Sequence, residues 1–309
     1  MDKKKRVSIS IGNYQLIYGD REALRIAREI GADGVDFNLT RGQDYRKEGC
    51  VYALGEEAIR SYYRELRGYA EELGLEIVQT HGRISGLKNK PEEDEALIQN
   101  GRYDCIATAE LGAPCCVMHT ATTIHHGPNA DPALMHEMNY RLFSSLLPCA
   151  AAENILLATE TFGDAPKYGC IDFFGDIEEF VKGYERVKRE APHADHFCIC
   201  MDPGHSNKAT RFNGNPSPAD VIRRLGSDIR VLHLNDNDTL TDQHKVPMTG
   251  CIDWTDLMDA LDEIGYDGYY NMEINLKSFG DDFMVEYGRF AVKVMRQILK
   301  TRYGEDCLT

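Results

Sequence analysis

Short apolar runs alternate with longer amphipathic segments from one end of the chain to the other. The strand-length runs are Val7–Ile11, Gly34–Leu39, Glu76–Thr80, Cys115–His119, Ile155–Glu160, Phe197–Met201, Ile229–Leu234 and Tyr269–Ile274. Between them, apolar residues at helical spacing predict helices over Glu22–Ile30, Glu56–Leu73, Glu92–Leu111, Pro132–Ala152, Ile177–Glu190, Pro218–Leu225, Trp254–Ile264 and Asp281–Lys300. The strands are near-continuous apolar runs, as expected where helices cover both ends and faces of a parallel sheet. Gly31, Gly74, Gly112 and Gly265 each follow a helical segment, where a C-cap glycine belongs. Eight strand–helix units in a chain of 309 residues predict an α/β protein, a closed (β/α)8 TIM barrel. One domain is expected over 1–309, with its core over about 7–300. No GxGxxG or Walker-type loop follows the first strand, so a doubly wound nucleotide-binding sheet lacks its signature.

Composition narrows the partners. Lys plus Arg total 35 against 50 Asp plus Glu, a net charge of −15. Nucleic-acid binding through phosphates needs a positive footprint, so no nucleic-acid partner is expected. No apolar run approaches the roughly 18 residues needed to span a membrane. The basic run Met1–Arg6 precedes a stretch too short and too polar for a secretory signal, and reads as a solvated N-terminal tag. The ten cysteines include Cys115, Cys116, Cys198 and Cys200 inside apolar runs, with no CxxC pair. Such thiols pack as small hydrophobes, which predicts a reducing, cytoplasmic setting.

In a barrel of this kind the active site lies at the C-terminal ends of the strands. The third run ends Thr80-His81, the fourth Met118-His119, the fifth Thr159-Glu160 and the sixth Met201-Asp202-Pro203-Gly204-His205. The seventh reads Leu232-His233-Leu234 and leads to a loop with Asp242-Gln243-His244, and the eighth contains Met272-Glu273-Ile274. Five of the ten histidines therefore face one mouth beside several carboxylates. A lone strand-end histidine is usually a satisfied structural residue, but a carboxylate inside an apolar run is costly unless paired. Glu160, Asp202 and Glu273 all sit in such runs. Converging like charges repel unless a cation neutralises them, and carboxylate plus imidazole is a normal ligand set for a divalent metal.

At these residues the chain resembles the xylose isomerase-like barrel superfamily, in particular its sugar (phosphate) isomerase/epimerase group, which includes ketose 3-epimerases and related dehydratases. The resemblance runs from about Val7 to Arg296. Its most specific stretches are Met201 through His205, and His233 through Trp254 with Asp242-x-His244-x-x-Pro247-x-x-Gly250 followed by Asp253-Trp254. It implies that Glu160, Asp202, His233 and Glu273 bind one metal, with Glu160 and Glu273 as acid and base. His205 matches a substrate-contacting histidine, and His81, His119 and His244 are expected to orient substrate hydroxyls with it. More distantly the chain is similar to the endonuclease IV family, which uses a nine-residue set for three zinc ions. His81, His119, Glu160, Asp202, His205, His233, Asp242, His244 and Glu273 supply every residue type of that set. Negative charge, loops without obvious basic clusters and the Asp253-Trp254 ending favour the sugar group and one metal.

The implied chemistry is proton transfer next to the carbonyl of a keto-sugar or derivative, through an enediolate. Two carboxylates suit epimerisation, one base suits isomerisation, and loss of a β-leaving group from a 3-keto-glycoside or inosose would make a lyase or dehydratase. Three carboxylates with one imidazole favour Mn²⁺, with Mg²⁺ or Co²⁺ next, and Zn²⁺ if the endonuclease-like set is used. The expected partners are a small sugar and a second copy of the chain in a homo-oligomer. Lys277 and Arg211 are candidate phosphate contacts. Tyr45, Phe162, Tyr168 and Phe212 are candidate stacking residues. A non-catalytic barrel reused as a binding subunit is the alternative of another class.

Overall fold

The structure is a computed structural model that describes residues 4–212 and 214–308. The first three residues of the Met1–Arg6 basic run lie outside the described residues. Eight parallel strands form the sheet: β1 Val7–Ser10, β2 Gly34–Asn38, β3 Glu76–His81, β4 Cys115–Met118, β5 Leu156–Glu160, β6 Phe197–Met201, β7 Ile229–Leu232 and β8 Tyr270–Met272. Sequential neighbours pair from β1 to β7, and β8 pairs back on β1. The seam between β7 and β8 is closed just beyond β7, where Leu234 N–H donates to the Asn271 carbonyl at 2.8 Å and Glu273 N–H donates to the Leu234 carbonyl at 3.0 Å. The expected closed (β/α)8 barrel is what the chain forms.

Eight main helices cover the outside: α1 Asp20–Glu29, α2 Glu56–Glu72, α3 Pro91–Glu110, α4 Pro132–Ala152, α5 Ile177–Glu190, α6 Pro218–Leu225, α7 Trp254–Glu263 and α8 Met284–Tyr303. Helix α5 illustrates why. Asp176 caps its N-terminus by accepting the Glu178 N–H, glutamates fill the first turn, and Lys188 and Arg189 fill the last. Ile177, Phe180, Tyr184 and Val187 form the stripe it buries against the sheet. Each such side chain contributes about 1.5–3 kcal/mol on burial. Gly31, Gly74, Gly112 and Gly265 all adopt positive φ at the ends of their helices, where an L side chain would be strained. No helix among the described residues is long and apolar enough to cross a membrane.

The differences from the sequence reading lie at strand ends. β4 stops at Met118 rather than His119, β7 at Leu232 rather than Leu234, and β8 covers only Tyr270–Met272. The last helix starts at Met284, after a 3-10 turn, and runs to Tyr303. Short helices also follow β1, β4 and β6, at Gly12–Tyr18, Thr123–His126 and Pro203–Ala209. Elements of one or two turns carry too few positions to show periodicity. The last of them forms because Asp202 accepts the His205 N–H at 2.8 Å while Pro203 pre-sets the first helical φ.

Candidate metal centre

The mouth of the barrel gathers the singled-out side chains. One ligand atom from each of Glu160, Asp202, His233 and Glu273 lies within 4.8 Å of every other. His233 Nδ1 stands 3.1 Å from Glu160 Oε2 and 3.5 Å from Glu273 Oε2. His119 Nε2 is 3.1 Å from the same Glu160 oxygen, and His81 Nε2 is 3.6 Å from Glu160 and 3.7 Å from Glu273. His205 Nδ1 faces Glu160 Oε1 at 3.3 Å and the Thr161 carbonyl at 3.0 Å. His244 directs Nδ1 to the Glu273 carbonyl at 2.9 Å, from a backbone at φ +45° that few histidines adopt. The predicted ligands Glu160, Asp202, His233 and Glu273 and the histidines His81, His119, His205 and His244 thus meet at one place. His81, His244 and Glu273 line the cavity beside the cluster.

Local geometry explains the motif around them. A Cβ on Gly204 would lie 1.9 Å from Asn235 Oδ1, so only glycine fits beside the residue whose Nδ2 donates to Asp202 Oδ2 at 2.9 Å. A Cβ on Gly250 would lie 2.2 Å from Asp236 Oδ1. Asp236 accepts the Trp254 indole N–H at 2.8 Å, and its backbone exchanges hydrogen bonds with that of Lys245 in an antiparallel bridge, fixing the loop that carries Asp242 and His244. That is the physical content of the run from Asp242 to Trp254.

The electrostatics show an unresolved conflict among the protein groups. Burial works to raise the Glu160 carboxyl, and the His233 and His119 imidazoles override it, holding it well below the usual carboxylate range. Burial raises Asp202, only partly opposed by His205 and His244. Burial pushes the imidazoles of His205 and His233 down, but Asp202 and Asp242 draw His205, and Cys200, Glu160 and Glu273 draw His233, well above the ordinary value. For His81 burial wins and the shift is downward. Both carboxylate oxygens of Glu160 and both ring nitrogens of His233 are buried without an aligned hydrogen bond, despite the short separations. Orphaned buried groups of this kind are costly. A divalent cation held by Glu160 and His233 would satisfy these groups together, so the donor set fits a metal.

Asp36 was not singled out from the sequence. Its Oδ2 lies 3.1 Å from His233 Nε2, the nitrogen turned away from the cluster, and accepts a 2.5 Å hydrogen bond from Ser10 Oγ. This is the carboxylate–imidazole arrangement that orients a metal-binding histidine. The signal was present, since Asp36 is a fully buried carboxylate inside an apolar strand, the same anomaly that marks Glu160.

Two adjoining cavities, of about 220 and 570 Å³, meet at Asn38, Arg41, His81 and Glu273. The larger is lined by Arg41, Arg46, Arg83 and Lys88, which corrects the expectation of loops without basic clusters. These residues are scattered along the sequence and only the fold assembles them. Three are already paired: Arg46 with Asp44 at 2.9 Å, Arg83 with Asp104 at 2.6 Å and Lys88 with Glu93 at 3.1 Å. The two expected phosphate contacts are also occupied, Arg211 by Asp164 at 2.7 Å and Lys277 by Asp281 at 3.1 Å. Of the four candidate stacking residues, Phe162 reaches the cluster, packing on His119 and His205. Tyr45 packs on Tyr103, Tyr168 lies under Lys167, and Phe212 lies under Arg211.

A barrel of eight parallel strands with a carboxylate–imidazole cluster at its mouth defines a class of fold, and comparison specifies the family. Residues 24–288 match the family model for the xylose isomerase-like TIM barrel, and the chain belongs to that family. Protein y4fM of Sinorhizobium fredii is 27% identical over 271 residues, covering 82% of this chain and 81% of its own. A D-tagatose 3-epimerase-like protein superposes with a TM-score of 0.71 at 20% identity, covering 96% of this chain and 97% of that one. D-psicose 3-epimerase from Clostridium cellulolyticum, solved with D-tagatose, gives 0.70 at 15% identity, covering 95% and 99%. The IOLI protein, solved with a bound zinc atom, gives 0.69 at 14% identity, covering 96% and 97%. At these identities the structural likeness speaks for the fold.

Proposed function

We propose that this protein is a metal-dependent sugar isomerase or epimerase that moves a proton at the carbon next to the carbonyl of a keto-sugar or its derivative. The observation that carries the reading is the pair of carboxylates, Glu160 and Glu273, brought to one four-residue ligand cluster from β5 and the end of β8. Glu160, Asp202, His233 and Glu273 would hold the ion, and three carboxylates with one imidazole favour Mn²⁺, then Mg²⁺ or Co²⁺. The zinc in the IOLI protein keeps Zn²⁺ among the ions to be tried. When bound, the ion supplies Lewis-acid stabilisation of negative charge developing on the substrate carbonyl oxygen.

The protein groups divide the remaining work. Glu273, with its side chain 22% exposed and on the cavity wall, accepts or returns the carbon-bound proton. Glu160, fully buried, serves the other face of the same carbon. His81 and His244, which line the cavity, orient substrate hydroxyls, and Phe162 screens the cluster from water on the His119 and His205 side. The sugar-processing relatives named above support a small sugar as substrate. The larger cavity favours a sugar bearing a substituent, as a 3-keto-glycoside does, for which the same proton removal leads to elimination.

The test is incubation in D₂O with a panel of ketoses, keto-glycosides and inosose-like ketones, with and without chelator. Metal-dependent deuterium uptake next to the carbonyl supports the reading, and the product distinguishes epimer, isomer and eliminated species. No exchange into any member, with metal confirmed in the protein, contradicts it.

A further inference from the structure

The mouth of the barrel holds a second group of ligand-type side chains, overlapping the first at Asp202. Asp202, His205 and His244 offer donor atoms within 4.8 Å of one another. Asp242 Oδ2 lies 3.7 Å from His205 Nε2 and 3.3 Å from His244 Nε2, so a second carboxylate faces both rings. By donor type alone this group is as suited to a divalent cation as the four-residue cluster beside it.

A lysine separates the two cases. Lys208, near the end of the Pro203–Ala209 helix, is only 3% exposed, unusual for the most solvent-seeking of side chains. Its Nζ lies 2.7 Å from Asp164 Oδ1 and 3.3 Å from Asp242 Oδ1. Arg211 closes the other oxygen of Asp164 at 2.7 Å. Pairing with Asp164 alone would explain why Lys208 tolerates burial. The second contact does more, because it brings a fixed positive charge onto the carboxylate that would complete the second ligand group.

We propose that Lys208 is a resident cation that limits the barrel mouth to one divalent ion. Its ammonium neutralises Asp242 and repels a second dication from Asp202, His205 and His244. A pair of metals clamps the attacking and leaving oxygens of a displacement, whereas proton transfer beside a carbonyl needs one. Lys208 is thus a specificity-determining residue for metal number, and through it for reaction type. The inference rests on the metal-site reading above.

The experiment counts ions rather than turnover. Metal-free protein is titrated calorimetrically with Zn²⁺ and separately with Mn²⁺, and bound metal is then measured by elemental analysis after gel filtration. Wild type is expected to hold one ion per chain. Lys208→Met should take up a second Zn²⁺, Lys208→Arg should stay at one, and adding Asp242→Asn to Lys208→Met should return the count to one. Lys208→Gln replaces the methionine variant if circular dichroism shows that it does not fold. A folded Lys208→Met or Lys208→Gln protein still holding one Zn²⁺ overturns the role of Lys208 and leaves the first site standing. Two tightly held ions in wild type also overturn it, whatever the variants do. No ion at all in wild type overturns the metal-site reading itself, and this proposal with it.

Discussion

The lumen of the barrel has two layers built by the same strands, and they differ completely in chemistry. The lower layer on the β4–β7 side is Cys115, Val117, Ala158, Cys198, Cys200 and Val231, small neutral side chains in a buried cluster of their own. Two residues further along the same inward-facing rows stand His119, Glu160, Asp202 and His233. The alternation of the strand therefore carries each row from thiol and methyl groups to charge in a single step. The neutral layer is a dry floor, and charges resting on it interact more strongly than they would in water. It also has no spare polar partner on that side for another charge. Between β1 and β8 the floor is polar, with Ser8 Oγ donating to Asn271 Oδ1 at 2.9 Å and Asn271 Nδ2 donating to the Leu232 carbonyl at 3.2 Å. In the upper layer both carboxylate oxygens of Glu160 and both ring nitrogens of His233 are left buried without aligned hydrogen bonds. That contrast is what points to a cation in the upper layer.

The comparison can be broken from either layer. The largest effect expected is in the upper one. Glu273→Gln should keep the fold and lose about 10²–10⁴-fold in turnover, because the side chain keeps its shape but no longer accepts a proton. Turnover within a few-fold of wild type, in the exchange assay above, would remove Glu273 from the role of base. Next comes the floor. Val231→Asp places a carboxyl without a partner under the cluster and should cost about 3–5 kcal/mol. Denaturant unfolding beside a Val231→Ala control measures it, and a cost equal to that of the control would show that the floor is not dry.

A pH effect follows in size. In the metal-free protein burial lowers the His244 imidazole, but its hydrogen bond to Asp242 and the charge of Glu273 carry it up to about 9. A raised folded value means that protonated His244 stabilises the fold fully below its unfolded pKa of about 6.5, and that this is lost as pH rises through the folded value. The difference amounts to roughly 3 kcal/mol at most. Calorimetry of metal-free protein should show stability falling between about pH 6 and pH 10, and His244→Gln should flatten the profile. A profile unchanged by the substitution would contradict the assignment. The smallest effect belongs to Asp36. Asp36→Asn should weaken metal binding by about 10–100-fold through misorientation of His233, with little loss of stability. Unchanged affinity by titration would reduce Asp36 to a packing residue.

Most of this arrangement was legible in the sequence, for reasons that also explain the gaps. Long helices announce themselves, so Pro132–Ala152 and Ile177–Glu190 fall where the periodicity puts them, and the unbroken apolar run Phe197–Met201 marks its strand. Glu160, Asp202 and Glu273 stand out because a carboxylate in an apolar run needs a compensating partner. Asp36 carries the same mark but lies in the middle of β2, remote in sequence from the candidate ligands, and only closure of the barrel brings it to His233. Lys208 and Asp164 are 44 residues apart in numbering, and a cross-loop ion pair leaves no periodic trace. The cavity lined by Arg41, Arg46, Arg83 and Lys88 is likewise a product of two separate loops. Short helices after β1, β4 and β6 are hidden for want of a second turn.

The central claim is that the upper layer is a single divalent metal site whose innermost ligand is Glu160. Calorimetric titration of Mn²⁺ into metal-free wild type and Glu160→Gln protein, each checked for an intact fold, tests it most directly. One ion per wild-type chain is expected, with an affinity at least about 100-fold weaker in the variant, beyond what loss of a merely orienting neighbour produces. Equal affinity in the two folded proteins, or no binding in wild type, would contradict it.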